Sequence, residues 1–152
     1  MKKKIRLVTV LKIKKHLETL IEETYKKFLE YNETEKSIEP LFEKLNKASE
    51  QLIVIKEAVQ KANQGRHKTG RTNNYYIYKY SNLQTKKRIY SDITGVDPLA
   101  CQISPDEARK DVREINAELD AISTKLTNFN LRKRVQVVLD ESLELEPLLL
   151  EQ

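Results

Sequence analysis

Gly65-Arg66-His67-Lys68-Thr69-Gly70-Arg71-Thr72 is the segment whose residue types and spacing come nearest to a known chemistry. It has the glycine spacing of a phosphate-binding loop, with Arg71 at the position that such a loop gives to lysine. That loop works only between a buried β-strand and the first turn of a helix, where backbone N–H groups and the helix dipole meet the phosphates. Here a long helical pattern precedes it, and no hydrophobic strand ending in Asp supplies a magnesium ligand. Capping and turning between two helices explain both glycines, with Gly65 expected to end the preceding helix in the left-handed conformation. No nucleotide cofactor is expected.

The other reactive residue types are scattered. His16 and His67 are far apart, and Cys101 has no second cysteine near it. A structural zinc site needs four N or S ligands, so no metal site is expected. Nothing marks Cys101 as an activated thiol, and packing as a small residue is its simpler role. Glu22 and Glu23 are adjacent, which on a helix points them in different directions. With no acid–base pair and no nucleophile, no catalytic residue is assigned and the chain is expected not to be an enzyme.

Charge is the stronger signal. Residues 1–16 carry seven Lys or Arg and no acid. Residues 61–91 carry Lys61, Arg66, Lys68, Arg71, Lys79, Lys86, Lys87 and Arg88, again with no Asp or Glu, and hold five of the seven tyrosines. Cations neutralise phosphates and aromatic rings stack on bases, so this block is a candidate surface for RNA, single-stranded DNA or another polyanion. Against that, tyrosines at helical spacing also serve as an ordinary packed face. A net charge of +5 is modest for a dedicated nucleic-acid binder.

The elements that must position these groups are helices. Ile38, Leu41, Leu45, Ala48, Leu52, Ile55, Val59 and Ala62 follow an unbroken 3-4 spacing, which places them on one seam of a helix over 37–64. Ala108, Val112, Ile115, Leu119, Ile122, Leu126 and Phe129 do the same over 105–130. Ser104-Pro105-Asp106-Glu107 is a strong start signal for that helix, with proline at its first position. Leu17, Leu20, Ile21, Tyr25, Phe28 and Tyr31 give a broader apolar face over 11–32, and the short connection after it predicts an antiparallel hairpin with the next helix. Tyr76, Tyr80, Leu83 and Tyr90 predict a helix over 74–93, capped by Asn73 or Asn74. Residues 94–103 read as a loop.

The ends allow two readings. Lys4 to Leu11 is either the first turns of the first helix, the simpler case, or a strand pairing with Arg134 to Leu139. The fold class is therefore all-α, long antiparallel hairpins in a coiled-coil-like bundle, with a short β-pairing of the ends as the alternative. Residues 1–131 are expected to form the bundle. Residues 132–152 form an extension whose Leu-Glu alternation and terminal leucines dock on this chain or a neighbouring subunit. The basic N-terminus lacks the unbroken apolar stretch of a signal peptide, and no apolar run approaches the ~20 residues of a membrane span. A single cysteine fits a reducing, cytoplasmic setting.

In the order of its elements the chain resembles the septicolysin-like family of small bacterial helical proteins. The resemblance spans most of residues 7–131. Val59-Gln60-Lys61-Ala62-Asn63 stands where that family ends a long helix, Gly70, Thr72, Leu83, Lys86 and Arg88 follow its loop and basic helix, and Ile122, Leu126, Asn130 and Leu131 stand at its closing helix. Leu131 replaces the family's tryptophan, and the tail beyond it is additional. The resemblance implies a helical oligomer and carries no functional residues. The leading expectation is thus an assembly or scaffold protein that self-associates through its seams, with polyanion binding by residues 61–91 as the alternative.

Overall fold

The computed structural model describes residues 2–93 and 102–150. The loop expected at 94–103 therefore lies mostly outside the described residues, as does Cys101. The protein is all-α with one small sheet. Its elements are β1 (Lys2–Arg6), α1 (Leu7–Asn32), α2 (Glu39–Asn63), α3 (Asn73–Ile93), α4 (Pro105–Arg132), β2 (Arg134–Val138), a 3-10 turn (Glu141–Leu143) and α5 (Glu146–Leu149). They form two compact units, one of residues 1–63 with 130–152, the other of residues 64–129.

In the first unit, Leu7, Val10, Ile13 and Leu17 lie at helical spacing along α1 and are fully buried. α1 packs on α2 and on both strands, where Ala48, Ile55 and Ala62 of α2 and Ile5, Val135 and Val137 of the sheet are buried as well. Each such Leu or Ile contributes about 1.5–3 kcal/mol by leaving water. Phe28 and Phe42 approach to 6.1 Å beside the connection between α1 and α2, so the two helices run antiparallel. Tyr25 departs from the expected face and is exposed. The stripe runs through Leu17, Ile21, Thr24, Phe28 and Tyr31, and leaves Tyr25 on its flank.

The two readings of the N-terminus divide between Arg6 and Leu7. β1 pairs antiparallel with β2, with Lys2 opposite Val138, Lys4 opposite Gln136 and Arg6 opposite Arg134. Leu7 N–H closes the ladder on the Lys133 carbonyl at 2.8 Å, and the helix starts there. The free edge of β2 is held by a side chain. Gln51 of α2 is 5% exposed; its Nε2 donates to the Val138 carbonyl (2.9 Å) and its Oε1 accepts from the Asp140 N–H (2.6 Å). Gln51 thus acts as one residue of a third strand. The segment after 131 belongs to this unit: Leu139, Leu143 and Leu145 are buried, and Lys3 reaches Glu146 at 2.8 Å.

Among the described residues the second unit holds a short hairpin and the helices α3 and α4. Tyr76 and Leu83 of α3 form a buried cluster with Ile115, Leu119 and Ile122 of α4. Lys125 lies over the Tyr76 ring while Lys79 reaches Glu118, so numbers rise on α3 as they fall on α4 and the helices are antiparallel. Ser104 Oγ accepts from the Glu107 N–H at 3.2 Å, which satisfies an amide that the first turn of α4 leaves open. Every seam residue of both long helices is buried or half-buried. Among the described residues no helix is long and apolar enough to cross a membrane.

Candidate functional site

The segment that resembles a phosphate loop is a small β-hairpin. His67 N–H donates to the Arg71 carbonyl and Gly70 N–H to the His67 carbonyl, both at 2.9 Å, and Arg66 bridges to Thr72. This is a tight turn closed by one left-handed residue, and that residue is Gly70, at φ +82°. Gly65 is not left-handed, contrary to expectation; the chain reverses inside the hairpin and not at the end of α2. The amides of His67 and Gly70 are bonded within the turn, which leaves neither to cradle a phosphate. A Cβ added at Gly70 would meet nothing within 4 Å. Gly70→Ala is therefore expected to cost only the backbone penalty, about 1–2 kcal/mol, and Gly70→Asn clearly less. Chemical denaturation of both variants checks this.

The hairpin is anchored to α3 from below. The His67 ring stacks on Phe129 (centroids 5.0 Å apart, 23°) and meets Tyr76 edge-on at 4.7 Å. His67 Nε2 lies 2.8 Å from Asn73 Oδ1, which has no proton to give, so His67 donates. Asn73, fully buried, is therefore a brace for the hairpin and not the cap of α3. The cap is Thr72, whose Oγ1 accepts from the Tyr75 N–H at 3.1 Å. Thr69 and Tyr76 share a 2.7 Å hydroxyl–hydroxyl bond. That bond chiefly, with Lys125 and Arg71 adding to it against the effect of burial, lowers the Tyr76 phenol from its usual range.

The expected polyanion-binding cations do not form one cluster. Arg71 lies over the Tyr75 ring at 4.7 Å and Lys79 approaches the same ring at 5.9 Å. The 3.6-residue repeat puts Tyr75, Tyr78, Lys79, Asn82 and Lys86 on one face of α3. From Tyr75 to Lys86 this strip runs about 16 Å. Tyr78 is 71% exposed on it, and Asn82 and Lys86 are exposed as well. Lys68 is exposed at the hairpin tip, whereas Arg66 donates to the Gly70 carbonyl at 2.6 Å and serves the hairpin itself. Lys87 falls on the inward 3-4 series of Tyr76, Tyr80, Leu83 and Tyr90 and is half-buried. Arg88 is exposed on another side of the helix. Lys61 belongs to α2 in the first unit.

Lys125 lies outside the basic block, and Tyr78 is one of its five tyrosines with nothing in the composition to single it out. Lys125, 4.9 Å over Tyr76, stands next to the seam residue Leu126, a flanking position from which long cations reach across a helix pair. Tyr78 is told from its neighbours only by phase, because it lies off the inward series. The strip with Arg71 offers an open ring and cations, of which Lys79 is paired with Glu118 at 3.6 Å. It has no nucleophile, and no group of three or more metal-ligating side chains stands together among the described residues. No protein-family model matches the chain, and neither a curated protein nor a solved structure is significantly similar to it.

Proposed function

We propose that the chain is a non-enzymatic helical protein of the cytoplasm that binds single-stranded nucleic acid along the outer face of α3. The exposure of Tyr78 beside Lys79, in line with Arg71 and Lys86, carries this reading. A base stacks on the open ring while the cations neutralise the phosphates on either side. The seams argue less for a partner chain than their spacing suggests, because each of their residues is buried or half-buried within the chain.

The test is fluorescence anisotropy of a labelled single-stranded oligonucleotide. Tyr78→Ala removes a ring that supports nothing in the fold, so melting should hold within about 0.5 kcal/mol. Binding should weaken by about 1–3 kcal/mol, the worth of one stacked base. No binding by the unaltered protein at about 50 mM salt, or undiminished binding by Tyr78→Ala, would reject the proposal.

Self-association is the second reading. Leu29 and Phe42 are half-exposed near the tip of the α1–α2 hairpin, beside Phe28. The resemblance to septicolysin-like proteins points the same way.

A further inference from the structure

The two-stranded sheet carries a second charged surface, built from other residues in the other unit. Strand alternation sends Ile5, Val135 and Val137 into the core. The same alternation turns Lys2, Lys4, Arg6, Arg134, Gln136 and Val138 outward. Neither strand contains an acid, and the outward face bears four cations. None of the four has a carboxylate partner among the described residues; the ion pair that β1 makes, with Glu146, belongs to the inward Lys3. Arg6 and Arg134 stand directly opposite each other in the ladder. Like charges so placed weaken a sheet. A fold of its own accord gains nothing from that pair, whereas a bound polyanion turns it to advantage.

We propose that this outward face binds the backbone and major groove of duplex DNA. Lys2, Lys4 and Arg6 recur at about 6.8 Å, two residues of strand rise. Phosphates also recur regularly along the helical path of a duplex strand, where each carries one charge, so a row of cations can neutralise several of them. A two-stranded ribbon is also one of the two shapes that enter a major groove about 12 Å wide. Gln136, between the cations, offers an amide suited to the edge of adenine, and Val138 an apolar contact for a thymine methyl. A lipid surface fits less well, because Val138 is the face's one apolar side chain. The inference rests on the first unit alone and not on the α3 strip.

The experiment titrates the full chain with a labelled duplex, a labelled single strand and anionic vesicles over a range of salt. Lys4→Ala with Arg134→Ala should weaken duplex binding roughly tenfold or more and lower the salt slope by about 1.8, two phosphate contacts. Melting of this variant, and of Arg134→Gln alone, should hold or rise, because opposed like charges are removed. Single-strand binding should keep its dependence on Tyr78. Duplex binding that is absent at low salt, or unchanged in slope in the double variant, overturns the proposal. Vesicle binding that drops in the variant while duplex binding does not also overturns it, in favour of a membrane surface. Either failure leaves the α3 reading standing, since that depends on the single strand and Tyr78.

Discussion

Gln51→Ala is expected to lower folding stability by about 2–4 kcal/mol, the combined cost of two hydrogen bonds lost and two partly buried backbone groups left unpaired. The orphaned groups are the Val138 carbonyl and the Asp140 N–H, at the free edge of β2. A two-stranded ribbon is marginal alone, so the amide that substitutes for a third strand carries more than its size suggests. Gln51→Glu sharpens the test. A carboxylate still accepts from Asp140 but cannot donate to Val138. At neutral pH this variant should be at least as damaged as alanine. On acidification the carboxyl gains a proton to donate, so part of the loss should return as pH falls. Urea denaturation at two pH values reads both effects. A Gln51→Ala protein as stable as the parent would mean that β2 is not held by α2 in this way.

Leu119→Ala is the second large effect, about 2–5 kcal/mol, the range for truncating a buried leucine. Leu119 is 7% exposed in the cluster that joins α3 to α4. What matters beyond magnitude is the dependence on protein concentration. If the seam is filled within the chain, parent and variant both melt at temperatures independent of concentration. If it is filled by a second chain, melting rises with concentration by mass action. Scanning calorimetry over a hundredfold range of concentration separates the two. A strong concentration dependence abolished by Leu119→Ala would restore self-association as the main role of the seams.

The helical framework was legible because burial imposes a period. The seam residues Ile38 to Ala62 and Ala108 to Phe129 place α2 and α4 within two residues of their observed ends. Proline and serine at the start of α4 act through local chemistry, and that chemistry is visible in four consecutive letters. β1 was the minority reading for a physical reason. Lys2-Lys3-Lys4 has little strand preference of its own, and its partner lies more than 130 residues away. Gln51 was invisible for the same cause: a polar residue beside a seam looks like solvent-facing helix until the strand it holds is placed. Gly65 and Gly70 were both plausible turn residues, and only the hairpin's hydrogen bonds single out Gly70.

The candidate site was legible in composition and not in geometry. The density of Lys, Arg and Tyr over residues 61–91 singles out a stretch of chain. Phase then divides it. Lys87 turns toward Leu83 and Tyr90, Arg88 elsewhere, and Arg66 closes the hairpin, while Arg71, Lys79 and Lys86 share a strip with Tyr78. Adjacent basic letters on a helix are about 100° apart, so a run such as Lys86-Lys87-Arg88 never presents one surface.

The most direct measurement follows the tyrosine ring resonances of isotope-labelled protein as a single-stranded oligonucleotide is added. Binding along α3 predicts that Tyr78 shifts first and furthest, with Tyr75 following as Arg71 and Lys79 turn from its ring toward phosphate, while Tyr25 and Tyr31 in the first unit stay in place. Saturation of the oligonucleotide with the Tyr78 signal unmoved would contradict the account, wherever else the protein responded.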